Sequence, residues 1–188
     1  MNTTTDRRII RTKRAIYNAF LALIQEREFE KITVKELAER ADINRKTFYV
    51  YYTGLDDLAR QIEEELFEHC SPLLRSINVM SRDFDVYGFF EALADMIENN
   101  MTVLQLLYRS GRLSSLLERT KMLLVESFQK QLGDEVADNK TLQLYLEFMS
   151  AGFLSMFTEW IVAPRITLAE FTEVLAKITL SSFRAIQN

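Results

Sequence analysis

The sequence predicts an all-α protein, on two observations. Only 5 glycines and 2 prolines occur among the 188 residues, well below the average usage of about 7% and 5%, whereas β-sandwiches and barrels need many glycine- and proline-rich turns. Apolar residues also recur at helical spacing along nearly the whole chain, as in the i, i+4, i+7, i+8 series Ile16, Phe20, Leu23 and Ile24. We therefore expect roughly nine helices and no strand.

Composition narrows the class of protein further. Hydrophobic residues make up 48% and charged residues 27%, which is typical of a folded globular chain. The single cysteine, Cys70, has no internal disulfide partner, and this favours a reducing cytoplasm. One histidine, His69, and one cysteine do not suffice for a His/Cys zinc site. The sequence shows neither an 18-residue apolar run nor a signal peptide, so we expect a cytoplasmic protein with no membrane span, metal or cofactor.

Charge is distributed unevenly along the chain. Residues 1–58 carry 11 Lys/Arg and 9 Asp/Glu, whereas residues 59–188 carry 12 and 18, giving net charges of +2 and −6. Near the start, five cations accompany a single acid, Asp6; they are Arg7, Arg8, Arg11, Lys13 and Arg14. A basic segment on an acidic protein indicates a polyanionic partner at one end, although a solvated helix start gives the same pattern.

The first elements have the spacing of a helix-turn-helix. An amphipathic helix over about residues 8–28 precedes Thr33-Val-Lys-Glu36, which fits a capping box for a helix over about 33–40. Asn44 is suited to N-cap a further helix over about 44–51. Between these two, Asp42 is the residue best able to adopt the backbone conformation of the turn. Two short helices joined in this way predict a helix-turn-helix.

Further helices fill the rest of the chain. Thr53-Gly54 interrupts the pattern, and a long helix over about 55–75 follows, with Pro72 near its end. The later helices are expected at about 83–99, 101–110, 113–132, 139–162 and 167–186, with Gly111, Gly133 and Pro164 between them. We therefore predict a helix-turn-helix domain over residues 1–54 and a helical regulatory and dimerisation domain over residues 55–188.

The last two helices predict a homodimer. Helix 139–162 carries apolar residues over more than one face, which is typical of a helix buried on most sides. Pairing of these helices with the same pair of a second subunit would form a four-helix bundle. The alternative is an unusually thick core within one subunit. The expected interface residues are Ala151, Gly152, Ser155, Phe171, Leu175 and Ile178.

The segment Thr33–Leu58 reads TVKELAERADINRKTFYVYYTGLDDL and follows Arg14-Ala-Ile-Tyr-Asn-Ala-Phe20. Over about 50 residues it resembles the DNA-binding domain of the TetR family of bacterial transcriptional regulators. The shared residues are Ala19-Phe20, Ile32-Thr33-Val34, Leu37-Ala38, Ala41, Thr47-Phe48-Tyr49, Tyr52 and Leu58. The rest of the chain resembles the family only in length, helix order and a penultimate helix that contains Trp160.

The resemblance implies that helix 44–51 enters the major groove of double-stranded DNA and that Phe20, Leu37, Phe48 and Tyr52 form the core beneath it. The chemistry agrees, since Arg and Lys bind guanine O6 and N7, Thr contacts base edges, and Tyr hydroxyls bind phosphates. A solvated polar face is the alternative. The expected DNA-contacting residues are Arg11, Lys13, Thr33, Lys35, Asn44, Arg45, Lys46, Thr47, Tyr49 and Tyr51.

One position departs from the family pattern. The family usually has a lysine before the acidic pair that opens the fourth helix, and here Leu55 precedes Asp56 and Asp57. A phosphate contact is therefore missing beside two carboxylates. The N-terminus of the helix still offers backbone N–H groups to a phosphate, and Arg11 and Lys13 are candidates to compensate.

The resemblance also implies a regulatory ligand. In the family a small molecule commonly binds the larger domain and changes the distance between the recognition helices. We expect an apolar effector site, since Met and aromatic side chains suit adaptable pockets; a core is the alternative, and such residues at helical spacing more often form a core. The expected lining residues are Phe90, Met96, Met101, Leu107, Tyr108, Phe128, Tyr145 and Met149.

The function predicted from the sequence is a dimeric regulator that binds a palindromic operator and represses until a small molecule releases it. The alternative is a ligand-independent regulator or co-activator controlled by a protein partner. Catalysis is a poor fit, because the chain has no Gly-rich phosphate loop and no G-x-S-x-G motif. Adjacent residues on a helix, such as His69 and Cys70, do not face each other. A helical interaction module without DNA binding is a third class.

Overall fold

The computed structural model describes residues 3–78, 81, 83–132 and 140–186, with residues 3–6, 128, 129, 131, 132, 141, 142 and 183–186 described by backbone alone. This part of the chain holds eight α-helices, one 3-10 turn at Phe29–Lys31 and no strand, which confirms the all-α class. The helices are α1 (Thr3–Glu26), α2 (Val34–Arg40), α3 (Arg45–Tyr51), α4 (Leu55–Arg75), α5 (Val86–Arg109), α6 (Leu113–Leu132), α7 (Lys140–Val162) and α8 (Leu168–Ile186). Within the residues so described, no helix is long and apolar enough to cross a membrane.

The chain divides into two compact units. The N-terminal unit comprises Met1–Glu65 and Thr102–Leu113, and the C-terminal unit comprises Leu66–Met101 and Ser114–Asn188. Helices α4 and α5 therefore each contribute residues to both units. The functional division after residue 54 stays a prediction.

The core of the N-terminal unit draws on five helices. Phe20 of α1, Leu37 of α2 and Phe48 of α3 are fully buried, as the family resemblance implies, and Tyr52 lies just behind α3 and is also buried. The end of α5 completes this core, which the sequence did not predict. Its fully or almost fully buried members are Ile16, Phe20, Ile24, Leu37, Phe48, Leu58, Leu106 and Leu107.

The turn between α2 and α3 is built by local hydrogen bonds. The predicted capping box is confirmed: the Glu36 N–H donates to Thr33 Oγ1 over 3.2 Å, and the Thr33 N–H donates to Glu36 Oε2 over 3.1 Å. Asp42 has a φ of 53°, as predicted. The N–H of Asp42 donates to the Glu39 carbonyl and that of Ile43 to the Ala38 carbonyl. This is a Schellman motif with aspartate where glycine is usual, and it ends α2 sharply.

Helix α5 is longer than the sequence predicts. The two helices expected at 83–99 and 101–110 form one helix, Val86–Arg109, and the described part of the chain holds eight α-helices, close to the roughly nine expected. Asparagine at position 100 does not break it, because its Nδ2 donates to the Met96 carbonyl one turn earlier, over 2.7 Å, and so stays bonded within the helix. The helix ends in a Schellman motif at Gly111, whose φ of 69° favours glycine.

The C-terminal unit packs the later helices around aliphatic and aromatic side chains. Pro72 lies inside α4, which continues to Arg75. The Arg119 guanidinium lies 4.0 Å from the centre of the Phe67 ring. Near the start of α8, the Trp160 indole stacks on Phe171 with ring centres 5.7 Å apart. The buried residues include Leu66, Cys70, Leu74, Phe89, Phe90, Ile97, Leu116, Leu123, Leu146, Ile161, Phe171 and Leu175.

Candidate nucleic-acid interface

Helix α3 presents a mainly polar outer face above a buried inner one. Its inner face holds Phe48, and Tyr52 follows directly after the helix. Arg45, Lys46 and Tyr49 are exposed, while Thr47 and Tyr51 are half-buried at the edges. The structure therefore brings five of the predicted DNA-contacting side chains onto one short helix. Asn44 caps this helix, with Oδ1 accepting from the Lys46 N–H over 2.8 Å.

Arg45 and Tyr49 form a pair on this face. Arg45 Nη2 lies 3.4 Å from the Tyr49 hydroxyl, and the guanidinium carbon lies 5.8 Å from the centre of the Tyr49 ring. Tyr49 in turn meets Phe48 edge to face, with ring centres 5.5 Å apart. The buried Phe48 ring therefore supports the exposed Tyr49 ring, and Tyr49 restrains the Arg45 guanidinium. The fixed arrangement of donors on a guanidinium suits guanine or phosphate.

The start of α2 contributes two more of the predicted residues. Thr33 is exposed, and its hydroxyl accepts the capping-box hydrogen bond from the Glu36 N–H. It therefore stabilises the start of α2 and is also accessible at the surface. Lys35 is exposed, and its Nζ lies 3.9 Å from Glu39. Such a surface pair is weak, and the ammonium remains accessible to a phosphate.

Arg11 and Lys13 lie on α1. Arg11 is exposed and Lys13 is half-buried. The Lys13 ammonium lies 5.9 Å from the centre of the Tyr52 ring. Burial, followed by the nearby Glu65 carboxylate, raises the pKa of the Tyr52 phenol to about 12, so the ring that faces Lys13 is neutral. The contact ties α1 to the residue that ends α3.

The acidic pair after Leu55 is engaged within the N-terminal unit. Asp57 accepts from the Thr53 N–H over 2.9 Å and from Arg60 Nη2 over 2.7 Å. These two hydrogen bonds, the first being the larger influence, lower the pKa of Asp57 to about 2. The Asp57 carboxylate therefore accepts a backbone hydrogen bond at the start of α4 and is paired with the Arg60 guanidinium. Asp56 is exposed and lies 3.7 Å from Arg112.

The corner after α5 supplies two arginines that sequence reasoning missed. Arg109 Nη1 donates to the Ile24 carbonyl over 2.6 Å. Arg112 Nη1 lies 3.5 Å from Glu63 Oε2, and Glu63 is buried, with only 3% of its surface exposed. The one available signal was Gly111, which ends α5 and directs Arg112 toward α4. Arg109 thus joins the end of α5 to α1, and Arg112 joins the following turn to α4.

Two family models match successive parts of the chain. Residues 16–62 match the model for bacterial regulatory proteins of the tetR family, and residues 85–180 match the model for a transcriptional regulator C-terminal region. The chain belongs to the TetR family. The TetR helix-turn-helix corresponds to α2 and α3.

A curated relative agrees with the TetR assignment. The uncharacterized HTH-type transcriptional regulator YxbF of Bacillus subtilis (strain 168) is 25% identical over 154 residues, or 79% of this chain. The chain spans 40% of the length of that relative.

Two solved structures share the fold. The dihydroxyacetone kinase operon activator DhaS superposes with a TM-score of 0.63 at 18% identity, over 93% of this chain and 97% of its own. The fatty acid degradation regulator FadR from Bacillus halodurans gives a TM-score of 0.61 at 16% identity, over 90% and 94%. At these identities the likeness concerns the TetR fold alone.

The predicted effector-site residues fall in both units. Leu107 is buried and Tyr108 exposed in the N-terminal unit. In the C-terminal unit, Phe90 is buried, and the half-buried members are Met96, Met101, Tyr145 and Met149. The side chain of Phe128 lies outside the described part. The apolar effector site stays a prediction.

Within the C-terminal unit, a cleft of about 520 Å³ separates α5 from α8. Of the predicted lining residues it includes Phe90. Its rim is acidic rather than apolar, with Glu91, Asp95 and Glu98 on α5 and Glu173 on α8. The chemistry of this cleft differs from the apolar pocket that the sequence predicts.

The predicted dimer residues also divide into exposed and buried sets. Ala151 and Ser155 are exposed on α7, and a side chain added at Gly152 would meet no described atom within 4 Å. Phe171 and Leu175 are buried within their own unit, where they form core, and Ile178 is half-buried. The homodimer stays a prediction.

The exposed apolar surface of α7 was missed in part by the sequence analysis. Leu144 is 67% exposed and Phe148 is 74% exposed, one helical turn apart. Met156 and Val162 are exposed farther along the same helix. Because α7 is apolar on nearly every side, periodicity alone does not reveal which face is left uncovered.

His69 and Cys70 point in different directions from α4, as predicted for adjacent residues on a helix. His69 is exposed, whereas Cys70 is buried, and burial raises the pKa of its thiol to about 11. A thiol in this environment is not a ready nucleophile. Among the described residues, no three or more His, Cys, Asp or Glu side chains are grouped to hold a metal ion.

Proposed function

We propose that this chain is a cytoplasmic transcriptional regulator that binds a palindromic operator in double-stranded DNA as a homodimer, with α3 as the recognition helix. The observation that carries this proposal is the two-sided character of α3. Phe48 anchors one side in the core, and Arg45, Lys46 and Tyr49 are presented on the other. These side chains have the donors that read guanine and bind phosphate in the major groove.

The uncovered apolar face of α7 supports the homodimer. Leu144 and Phe148 expose large apolar side chains where Ala151, Gly152 and Ser155 leave room for a second helix. Monomeric soluble proteins rarely leave a wide apolar patch in water. A two-fold dimer places its recognition helices about 34–36 Å apart on successive major grooves, and its symmetry requires a palindromic site.

We infer that the regulator represses and that a small molecule bound in the C-terminal unit releases it. A dimer seated on a promoter blocks polymerase by its bulk. An effector acts only through its different affinities for the DNA-binding and non-binding arrangements. The presence of Phe90 in a cleft of about 520 Å³ supports a ligand in this unit.

The second candidate is a ligand-independent regulator or co-activator controlled by a protein partner. Tyr108 on α5 is exposed in the N-terminal unit and Met122 on α6 is exposed in the C-terminal unit, so each unit has an apolar side chain available to a partner protein. DhaS, which shares the fold, is named as an operon activator. Activation by contact with another protein is consistent with both observations.

Selection of duplexes from a random-sequence library by the purified protein tests DNA binding and symmetry together. We expect enrichment of one palindrome and an affinity that falls steeply as salt rises, because phosphate contacts release counterions. Lys31→Ala, which removes an exposed cation outside α3, is the matched control and should keep the same site. Absence of enrichment even at low salt would contradict the proposed function and favour an interaction module.

A thermal-shift screen of metabolite mixtures separates the two modes of control. An effector that binds the native state raises its melting temperature by an amount that grows with the logarithm of the effector concentration above Kd, and it should lower operator affinity. A protein-controlled regulator shows neither effect with any small molecule, and its operator affinity changes only when the partner is added.

A further inference from the structure

Val50 is an apolar residue on the outer face of the recognition helix. It is 73% exposed, more than any other large hydrophobic residue described in the N-terminal unit. It lies next to Tyr49, on the face that also carries Lys46. Packing within the protein does not explain an apolar side chain here, because most of the Val50 surface is exposed to solvent. Helix formation does not explain it either, because a β-branched residue is a poorer helix former than alanine or lysine.

The position of Val50 around the helix is central to this outer face. At 3.6 residues per turn, Val50 is about 200° around the axis from Phe48, which points into the core. Lys46 lies four residues earlier and so shares the outermost strip with Val50. Arg45 and Tyr49 flank this strip on one side. A helix docked with this face inward directs Val50 at the floor of the groove.

We propose that Val50 contacts the C5-methyl group of a thymine in each operator half-site and so determines specificity there. The inference rests on the proposed DNA binding through α3. The thymine methyl is the apolar group that the major groove presents, and an apolar side chain recognises it by excluding water. Val50 has two methyl groups and no hydrogen-bonding atom, so it favours thymine over cytosine, which lacks the methyl and offers a donor.

The helix geometry also limits how far this thymine lies from the base nearest Lys46. Val50 is four residues from Lys46, or about 6 Å along the helix axis at 1.5 Å per residue. Both side chains therefore reach nearby base pairs of the same half-site.

The test removes the methyl group from each partner in turn. The duplex enriched by the wild-type protein is synthesised with each thymine replaced by uracil, which keeps base pairing and loses only the C5-methyl. We expect one uracil position per half-site to weaken wild-type binding about fourfold, the value of burying one methylene-sized group. Val50→Ala alters both half-sites of the proposed homodimer, so it should weaken binding to the thymine duplex by about the product of two such effects, roughly 16-fold, and should show no further loss with uracil.

Lys46→Ala is the matched control on the same strip of the helix. It should weaken binding to the thymine and uracil duplexes by the same factor and so keep the uracil effect. Val50→Thr, which retains one methyl and the branched shape, should keep part of the effect. Because Val50 is exposed, both of its variants should show the wild-type circular dichroism spectrum.

The outcomes separate this inference from the proposed function. If the wild-type protein enriches a palindrome but Val50→Ala shows the same uracil effect, or no uracil position matters, the methyl contact is overturned and DNA binding stands. If the wild-type protein enriches no sequence, the proposed function and the methyl contact fail together. Loss of the uracil effect in Val50→Ala alone supports the contact.

Discussion

Arg109 Nη1 donates a hydrogen bond to the backbone carbonyl of Ile24 over 2.6 Å, joining residues 85 positions apart in the sequence. The acceptor lies in the last turn of α1, where carbonyl groups lack helical partners and carry the negative end of the helix dipole. A guanidinium suits that position because it is always charged and has several donors. Arg109, at the end of α5, therefore supplies a hydrogen-bond donor to the last turn of α1.

Arg109→Ala should destabilise the protein by about 1 kcal/mol. A hydrogen bond to a charged group contributes about 1.5–3 kcal/mol, and the solvent exposure of Arg109 reduces that value. Urea unfolding followed by far-ultraviolet circular dichroism measures the change. Lys31→Ala removes an exposed partner of Glu28 and should cost less than about 0.5 kcal/mol. Equal effects of the two variants would show that the carbonyl contact adds no stability.

Asp57 should make stability depend on acid. Its pKa of about 2 lies below the ordinary value of 3.8, chiefly because the Thr53 N–H and the Arg60 guanidinium bind the ionised carboxylate. A lowered native pKa stabilises the fold above the unfolded value, and this stabilisation is lost as the pH falls from 3.8 to about 2. Asp57→Asn should therefore be less stable than the wild type at neutral pH, and the difference should shrink across that window.

Urea midpoints measured as a function of pH test this dependence, and carboxyl chemical shifts follow the Asp57 titration directly. Asp56→Asn is the control, because Asp56 is more exposed and has only the longer contact with Arg112. Its curve should run parallel to that of the wild type. A parallel curve for Asp57→Asn would mean that the Thr53 contact is indifferent to the charge of the carboxylate.

Arg45→Ala should relax specificity at one base pair of the operator. Loss of a guanidinium bound to guanine O6 and N7 costs about 1–3 kcal/mol at that position. Tyr49→Phe keeps the ring beneath Arg45 and removes only the hydroxyl 3.4 Å away, so its effect should be smaller. Binding to a set of single-base operator variants gives the profile. A uniform loss across all the variants would assign Arg45 to a phosphate instead.

Phe148→Asp should convert the proposed homodimer to monomer. An aromatic anchor at the centre of an interface is commonly worth 2 kcal/mol or more, so the dissociation constant should rise by about 30-fold or more. Met122→Asp is a matched control, since Met122 is 65% exposed in the same unit but lies on α6. Sedimentation equilibrium measures both. Retention of the dimer by Phe148→Asp would place the interface elsewhere.

Short-range order was predictable at the helix-turn-helix. The capping box of Thr33 and Glu36, the N-cap at Asn44 and the positive φ of Asp42 all follow from interactions within six residues. Such features depend on side-chain type and spacing, which the sequence states directly. The break expected between residues 99 and 101 is absent, although the contact involved is also local: Asn100 Nδ2 donates to the Met96 carbonyl inside the continuing helix.

The sequence by itself determined the all-α class, the TetR-type helix-turn-helix and the residues of α3, because periodicity, caps and motif spacing are local. Only the tertiary structure decided that Arg109 and Arg112 join the N-terminal unit, that Phe171 and Leu175 are core, and that Phe148 is uncovered. Those outcomes depend on which helix covers which face. An apolar pattern indicates that one face of a helix is buried, but it does not indicate which other helix or subunit covers that face.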